Sequence, residues 1–349
     1  MKLLHAADLH LDSPFAALRP EQAAERRRLQ RQLPGVLAQL CREHRCDLWL
    51  LAGDVFDSDR VCPETLEALD RAFRDCGVPV FVAPGNHDPY TEQSPWACHP
   101  WPENVHIFTG QQQCVDLPAL GCRIWGAGFQ TETCHEVLQP ICRQATLEIG
   151  VFHADPETPG PYRYLSRQDL KDCGLDYLAL GHIHQPHLPE RIETTWYGWP
   201  GTAMGRGFDE TGVHGAFLVT LERGACQAEL LPLPGQRYEK LSVTMAQIEA
   251  GLPTAPNTIC RLTVTGEAEP FDRGALEARL RPHFAALELR DETVPPLELW
   301  QGWAEQNLRG LALESLKTRF EEASDPKTRQ TLALAARYVL SALEGRDGL

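Results

Sequence analysis

Histidines and carboxylates occur in five short segments of this chain, each directly after a run of apolar residues. The first pair is Asp8 and His10, which stand two positions apart. In extended backbone such residues point to the same side, so a carboxylate and an imidazole can bind one ion together. A single pair of this kind is a weak signal, because it is often a surface accident. The other four segments are Gly53–Asp57, Gly85–Asp88, His153 and Gly181–His184.

All five segments hold the same position relative to a predicted strand. The strands are Lys2–Ala7, Asp47–Ala52, Val78–Ala83, Glu148–Phe152 and Tyr177–Leu180. Open α/β sheets present their binding sites at the carboxyl ends of strands. Mixed nitrogen and oxygen donors suit divalent ions such as Mn²⁺, with Fe, Mg²⁺ or Zn²⁺ as alternatives. The sequence therefore predicts a site for two such ions, with the candidate ligands Asp8, His10, Asp54, Asn86, His153, His182 and His184.

Helical patterns lie between the first strands. One runs roughly from Glu21 to His44, and a second spans Pro63–Cys76, with Pro at its start and Gly just past its end. This alternation predicts an α/β core. After about residue 105, short strand-like runs between Gly and Pro residues indicate antiparallel strands that close a second sheet. These runs are Arg123–Gly126, Thr195–Tyr197, Ala216–Leu221 and Ala228–Leu231.

Turn-forming residues indicate a domain boundary in the rest of the chain. Leu233–Gln236 reads L-P-G-Q and indicates a boundary, so we predict a catalytic domain over 1–235. A small α+β domain over 236–296 and a helical tail over 297–349 follow. In the tail, Asp325 is a predicted N-cap before Pro326. An apolar stripe then follows on one helix face, formed by Leu332, Ala336, Val339, Leu340 and Leu343.

Composition excludes several classes of protein. The chain has 349 residues, 43% of them hydrophobic, with 33 Lys+Arg against 48 Asp+Glu and a net charge of −15. This charge argues against a protein that holds nucleic acid by bulk charge alone. No secretory pattern opens the sequence, and no apolar run approaches the ~20 residues of a membrane helix, so we expect a cytoplasmic protein without membrane contact. The twelve cysteines contain no C-x-x-C and are interpreted as partly buried thiols.

The five motifs, in order, resemble those of the calcineurin-like metallophosphoesterases. They read D-x-H, G-D-x-x-D, G-N-H-D, a lone His and G-H-x-H, over residues 8–184. The resemblance implies a four-layer α/β sandwich, with two facing mixed sheets flanked by helices, a small α+β cap and C-terminal helices. It further implies that the first ion is held by Asp8, His10, Asp54 and His184, and that the second is held by Asp54, Asn86, His153 and His182.

The same resemblance assigns His87 as the catalytic histidine and Asp57 as the acid that orients it. Two ions about 3.5–4 Å apart clamp a phosphate and lower the pKa of a water between them toward neutrality. The implied reaction is therefore attack of a hydroxide on phosphorus. His87 protonates the leaving oxygen or stabilises the transition-state charge.

A sharper resemblance is to the DNA-repair exonuclease branch, the SbcD-like nucleases, and among them the shorter YhaO type. His5–Phe15, Gly53–Arg60, Tyr197–Thr202 and Phe208–Glu210 carry it. It implies a DNA exonuclease that works with an SbcC-like coiled-coil ATPase. Two alternatives stay open, namely a small-molecule or nucleotide phosphodiesterase with the same metal site and a chiefly structural subunit of a repair assembly. The intact His87 counts against the second.

Three further hypotheses concern the surfaces that could contact a partner, a second copy of the chain or DNA. The apolar stripe of the tail either docks on the ATPase or packs on the cap. The helix Pro63–Cys76 could form a homodimer, although its apolar side chains could equally be core. The cluster of Arg26, Arg27, Arg28 and Arg31 either contacts DNA phosphates or forms a solvated face with neighbouring Glu residues.

Overall fold

The computed structural model describes residues 1–16, 18–268, 271–294, 300 and 302–343. They form two compact units. The first comprises Met1–Arg206 and Val213–Gly235, and the second comprises Gly207–Gly212 and Gln236–Leu349. The predicted boundary between residues 296 and 297 lies outside the described residues.

The first sheet of the first unit is mixed and has six strands, which are numbered here in chain order. Its four central strands are parallel, and two antiparallel strands extend it beyond the first strand of the chain. Across the sheet the order is β12 (Ala225–Pro232), β11 (Gly215–Glu222), β1 (Lys2–Ala6), β2 (Leu48–Leu51), β3 (Val80–Val82) and β4 (Val105–Ile107).

The second sheet is also mixed, with a parallel centre and antiparallel edges. The expectation that the later strands are antiparallel and close this sheet is therefore wrong in part. The strand at Arg123 is antiparallel to the strand before it but parallel to the strand after it, and the strand at Thr195 is parallel to the strand at Tyr177 and antiparallel to the edge strand. The strands that contain Ala216 and Ala228 are antiparallel, but they extend the first sheet. The order is β5 (Gln113–Leu117), β6 (Cys122–Ala127), β7 (Leu147–His153), β8 (Tyr177–Gly181), β10 (Thr195–Trp199) and β9 (His187–Ile192).

Three apolar layers hold the first unit together. Alternate residues of the two sheets, such as Leu50 and Ile149, form a core between them. The opposite residues of the first sheet, such as Trp49, pack on helices, and the outer face of the second sheet packs on a short helix and loops. The predicted four-layer sandwich is confirmed. The helices of this unit are α1 (Pro20–Gln30), α2 (Leu33–His44), α3 (Pro63–Asp75), α4 (Pro95–Cys98) and α5 (Arg167–Asp172).

The predicted single helix from Glu21 to His44 is wrong, since the chain breaks between α1 and α2. Pro34 stands in the first turn of α2. Proline has no backbone N–H, and its ring crowds the carbonyl of the residue four positions earlier. Continuing one helix through this position would lose a hydrogen bond and cost about 3 kcal/mol.

The arginines of α1 are engaged within the first unit. Arg26 is buried, donates to the carbonyl of Gly205 and lies over the ring of Phe15. Its guanidinium is therefore not available to contact a DNA phosphate. Arg28 pairs with Glu25 on the exposed face, as the alternative hypothesis expects.

The second unit contains a three-stranded parallel sheet with helices between its strands. Residues 207–212 belong to this unit, and Thr211 bridges to Tyr238 of its first strand. Its core includes Leu262 from the central strand and Leu276 from a helix. The elements are β13 (Arg237–Val243), α6 (Met245–Ala250), β14 (Ala255–Glu267), α7 (Arg273–Leu280), β15 (Phe284–Val294), α8 (Leu308–Glu322) and α9 (Pro326–Leu343), and short 3-10 turns occur at Pro118–Leu120 and Arg281–His283.

The stripe of α9 is largely packed inside its own unit. Ala336 and Leu340 are buried against Leu313 of α8 and Trp300. Leu343, at the end of α9, is exposed. No helix among the described residues is long and apolar enough to span a membrane.

Candidate metal centre

The predicted ligands follow strands from both sheets and meet at one end of the first unit. The segment that follows β1 lies beside the segment that follows β2. Asp8 N–H donates to the Gly53 carbonyl over 3.0 Å, and His10 N–H donates to the Asp54 carbonyl over 2.9 Å. The second sheet joins this arrangement because the N–H of His182 donates to both oxygens of Asp8, each over 3.1 Å.

Left-handed backbone aims several of these side chains. The φ angle is 50° at Asp8, 45° at His10, 48° at Asp54 and 97° at His182. This region costs a non-glycine residue roughly 1–2 kcal/mol. Such outliers cluster where a site needs them and persist only when the surrounding structure holds them in place.

One group of donors forms around His10. Its Nε2 lies 3.2 Å from Nε2 of His184 and 3.8 Å from Oδ2 of Asp54. Ligand atoms of Asp8, His10 and His184 all lie within 4.8 Å of one another. These are the four residues that the resemblance assigns to the first ion.

A second group forms around His153. Its Nε2 lies 3.0 Å from Oδ1 of Asn86, 3.3 Å from Nδ1 of His182 and 3.4 Å from Oδ2 of Asp54. Asp54 thus reaches both groups, through Oδ2 in each case. These are the residues that the resemblance assigns to the second ion.

The protonation of His153 tests whether a cation fits here. Its Nδ1 lies 2.9 Å from the carbonyl oxygen of Ala52, which only accepts hydrogen bonds, so Nδ1 carries a proton and donates. In the neutral ring Nε2 therefore carries no proton, and its lone pair faces the acceptor oxygens of Asn86 and Asp54. Metal-binding histidines commonly donate their other ring N–H to a carbonyl in this way. The converging acceptors therefore fit a divalent ion.

The electrostatics agree with this donor set. Burial lowers the pKa of His153, but the negative charges of Asp54 and Asp8 outweigh it and raise that pKa to about 9. Burial and the neighbouring charge of His153 lower the pKa of His182 to about 4. The electrostatic potential at the donors around His153 thus attracts positive charge.

His87 and Asp57 are in contact, but not in the way that the resemblance implies. His87 Nδ1 lies 3.1 Å from the backbone carbonyl of Asp57. The Asp57 carboxylate instead accepts from Ser13 Oγ over 3.0 Å and from Arg206 over 2.9 Å, and it lies 3.2 Å from His10 Nδ1. Asp57 therefore touches His87 through its main chain, while its carboxylate faces a predicted ligand.

Two glycines, Gly53 and Gly85, lack a side chain and so make room for two of the predicted ligands. Gly53 has a φ of 87°, and a Cβ there would overlap the His153 ring. A Cβ on Gly85 would overlap the carboxylate of Asp54. Asp88 fixes both loops, since its carboxylate accepts from the N–H of Gly85 over 2.7 Å and of Val55 over 2.9 Å. The sequence motif contains Asp88 but does not indicate this role.

Two residues at the centre were missed by sequence reasoning. Arg206 lies 3.3 Å from Nδ1 of His184 in addition to its contact with Asp57. The ring of Tyr162 lies 5.0 Å from that of His182. Neither stands in a recognisable motif, and no spacing signal in the sequence points to them.

A cavity of about 430 Å³ opens beside His87. This volume lies in the range of sites for small ligands. Its lining includes Asp57, Ser58, Asn86, His87, Glu132 and Tyr162.

Comparisons with known sequences match the motifs. The sequence profile of the calcineurin-like phosphoesterases matches residues 1–186. The uncharacterized metallophosphoesterase YhaO of Bacillus subtilis is 31% identical over 264 residues, which cover 71% of this chain and 64% of YhaO. The DNA double-strand break repair protein Mre11 of Methanopyrus kandleri is 26% identical over an alignment of 349 positions, covering 86% of this chain and 74% of that protein. The chain thus matches somewhat less than two thirds of the length of YhaO.

The comparison with solved structures matches a novel archaeal phosphodiesterase, with a TM-score of 0.38 and 12% identity over 66% of this chain and 100% of that one. A second is TT1561 of Thermus thermophilus, with a TM-score of 0.41 and 14% identity over 66% of this chain and 98% of that one.

Proposed function

This chain belongs to the calcineurin-like phosphoesterase family, and we propose that it is a two-metal DNA exonuclease of the SbcD-like kind. The family resemblance read from the motifs is confirmed. For the DNA substrate, the support is the similarity to a DNA double-strand break repair protein, which covers 86% of this chain and so continues beyond the family match at residue 186. A small-ester hydrolase needs no additional unit of this size.

The observation that carries the proposal is the position of His87 against the donor set. Its backbone N–H donates to Oδ1 of Asp54 over 3.0 Å, and its ring lies 4.9 Å from the ring of His10. The histidine is thereby fixed to the carboxylate that reaches both groups of donors. A phosphodiester beside those donors would have His87 next to its leaving oxygen.

Each residue then has a defined task. The groups around His10 and His153 would hold two divalent ions, which when bound clamp a phosphate and activate water as a nucleophile. The Asp57 carbonyl accepts from Nδ1–H of His87, so in the imidazolium form of the ring the Nε2 proton is the one that passes to the leaving oxygen and leaves a neutral imidazole. Asn86 supplies a neutral oxygen donor beside His153.

The test is hydrolysis of end-labelled linear DNA with Mn²⁺, beside a generic phosphodiester such as bis-p-nitrophenyl phosphate. We expect His87→Ala to lower kcat on DNA by about 10²- to 10⁴-fold, because proton transfer is lost. His44→Ala, at the end of α2, is the matched control and should act like the wild type. Hydrolysis of the small ester alone would favour a small-molecule phosphodiesterase, and full activity of His87→Ala would refute the catalytic role.

A coiled-coil ATPase of the SbcC type is the proposed partner, with α8 as its docking element. Because Ala336 and Leu340 are buried within the second unit, the α9 stripe is mostly unavailable. Leu308 and Leu311 of α8 are 69% and 64% exposed and offer apolar surface instead. Large exposed apolar side chains that lie together commonly mark interaction sites.

Co-purification of the full chain with the ATPase tests this docking. Leu308→Glu combined with Leu311→Glu should abolish the complex, because two charges would be buried unpaired. Leu188→Glu, at a 58% exposed position of β9, is the control. Retention of the complex by the double variant would refute α8 as the docking element.

A homodimer remains a second proposal, but not through the apolar face of α3. Leu69 and Phe73 are fully buried in the core of the first unit. A dimer through α3 would have to use its polar face. Sedimentation of the purified chain would reveal it.

A further inference from the structure

An aromatic ring stands at the rim of the cavity beside the candidate metal centre. Tyr162 is 38% exposed and lines the same cavity as Asn86 and His87. Its ring is tilted by 44° against the ring of His182, a predicted ligand. The ring is therefore next to the place where a scissile phosphate would sit, and it is partly uncovered.

The main chain around Tyr162 is held on both sides. On one side, Cys134 donates from its N–H to the Pro161 carbonyl over 2.8 Å and accepts from the Arg163 N–H over 2.6 Å. On the other, Asp155 donates to the Arg163 carbonyl over 3.1 Å and accepts from Leu165 over 2.9 Å. The segment that carries the ring is thus a hydrogen-bonded part of the unit rather than a loose loop.

Arg163 anchors this segment to the frame of the site. It is only 2% exposed, with φ at 37°, and donates to the Ala127 carbonyl over 2.9 Å. Its guanidinium lies 5.0 Å from the ring of Phe129, which meets the ring of His153 edge-on at 5.6 Å. Burial of a whole arginine and strained backbone are costly, and such features point to a functional requirement for the position of the preceding residue, Tyr162.

The charge around the cavity limits how a substrate can be held. Asp59 and Glu132 line it, and their negative charges repel phosphates that lie away from the ions. A flat ring held in place offers a different contact, because every nucleobase has an aromatic face that stacks on tyrosine. Such stacking needs a base that is not already stacked within a duplex.

We propose that Tyr162 is a substrate-positioning residue, which stacks on the base of an unpaired nucleotide next to the scissile phosphate. The inference rests on the proposed nuclease function and names its substrate class, an unpaired or frayed DNA end. The ring, and not the hydroxyl, carries the interaction. Phenylalanine at this position therefore preserves it, and alanine removes it.

Kinetics on two short single-stranded oligonucleotides test the proposal, one with a normal terminal nucleotide and one with an abasic terminal nucleotide. Tyr162→Ala should raise KM on the first about 5- to 100-fold, the effect of losing one base–aromatic stack, and leave the second unchanged. Tyr162→Phe should stay within about twofold of the wild type on both. Tyr338→Ala, at a tyrosine of α9 that is 41% exposed, is the matched control.

Binding without turnover separates this inference from the nuclease function. In the His87→Ala background, which prevents cleavage, an oligonucleotide with terminal 2-aminopurine should lose fluorescence with Tyr162 intact and with Tyr162→Phe, but not with Tyr162→Ala. Equal loss of activity of Tyr162→Ala on both oligonucleotides, or a Phe variant that behaves like Ala, would overturn the stacking role. Quenching by a wild type that fails to cut the oligonucleotide would instead refute the nuclease function and keep the stacking site.

Discussion

At the scale of single residues, the site depends on side chains that would be unfavourable elsewhere. Asp8, His10 and Asp54 adopt left-handed backbone, and Asp8 and Asp54 bring two carboxylates into a buried position. Unpaired buried charge is costly, and a divalent cation would remove that cost. The same reasoning explains the glycines, since a methyl group at Gly85 would occupy the place of the Asp54 carboxylate.

Gly85→Ala should therefore remove metal binding without unfolding the chain. In the wild type, Mn²⁺ at about 100 times its Kd adds about 2.7 kcal/mol to the free energy of unfolding. We expect the variant to lose most of this gain, measured as the Mn²⁺-dependent rise in Tm. Gly35→Ala is the control, because a Cβ there meets nothing within 4 Å and should stabilise α2 by about 1 kcal/mol. A normal Mn²⁺ response of Gly85→Ala would contradict the assigned geometry.

At the scale of elements, the second sheet is tied by a buried acid away from the metal centre. Glu148 of β7 is fully buried and accepts from Arg123 over 2.8 Å, from Trp125 Nε1 over 2.7 Å and from the N–H of Gln144 over 2.8 Å. Burial opposes ionisation, but Arg123 and the other donors lower the pKa of Glu148 to about 2. The ionised carboxylate thus joins β6, β7 and the connection between them.

Glu148→Gln should lower stability at neutral pH and lose this effect in acid. The folded pKa of about 2 lies below the ordinary value of 4.5, so the ionised acid stabilises above about pH 4.5, and its contribution fades as pH falls toward 2. The shift corresponds to about 3 kcal/mol at most. Urea denaturation of both proteins from pH 7 to pH 3 measures it. A difference that stays constant over this range would show that the carboxylate charge is not responsible.

At the scale of the whole molecule, the net charge of −15 conflicts with a DNA substrate unless other groups hold the DNA. Two divalent ions would supply positive charge where the phosphate sits. The arginines of α1 add little, since Arg26 is buried and Arg28 is paired with Glu25. Stacking on Tyr162 and a partner ATPase would supply the remaining affinity.

The chain alone should accordingly bind DNA weakly and with a shallow salt dependence. We expect a plot of log K against log salt with a slope no steeper than about −3, corresponding to about three neutralised phosphates. Fluorescence anisotropy with the His87→Ala variant and Mn²⁺ measures binding without cleavage, and chelation of the ions should abolish it. Addition of the ATPase should steepen the slope. A steep slope for the chain alone would contradict this expectation and indicate that a basic surface of the chain itself binds DNA.

The chemistry of the centre follows from the amino-acid sequence alone. The spacing of Asp8 and His10 and the placement of ligands after strands are local, and local periodicity sets which side of a strand a residue takes. The same local signals located most strands and the longer helices, but they missed β4, β5, β9 and β13. They also merged α1 and α2 because the apolar pattern continues across Pro34.

Which groups surround the ligands depends instead on tertiary packing. Arg206 contacts Asp57 across 149 positions of sequence, and Arg26 is buried against Gly205 across 179. The pairing of the later strands and the place of the Tyr162 ring likewise follow from packing between distant segments. No periodicity encodes such contacts, because they depend on the combined shape of both sheets and the loops that join them.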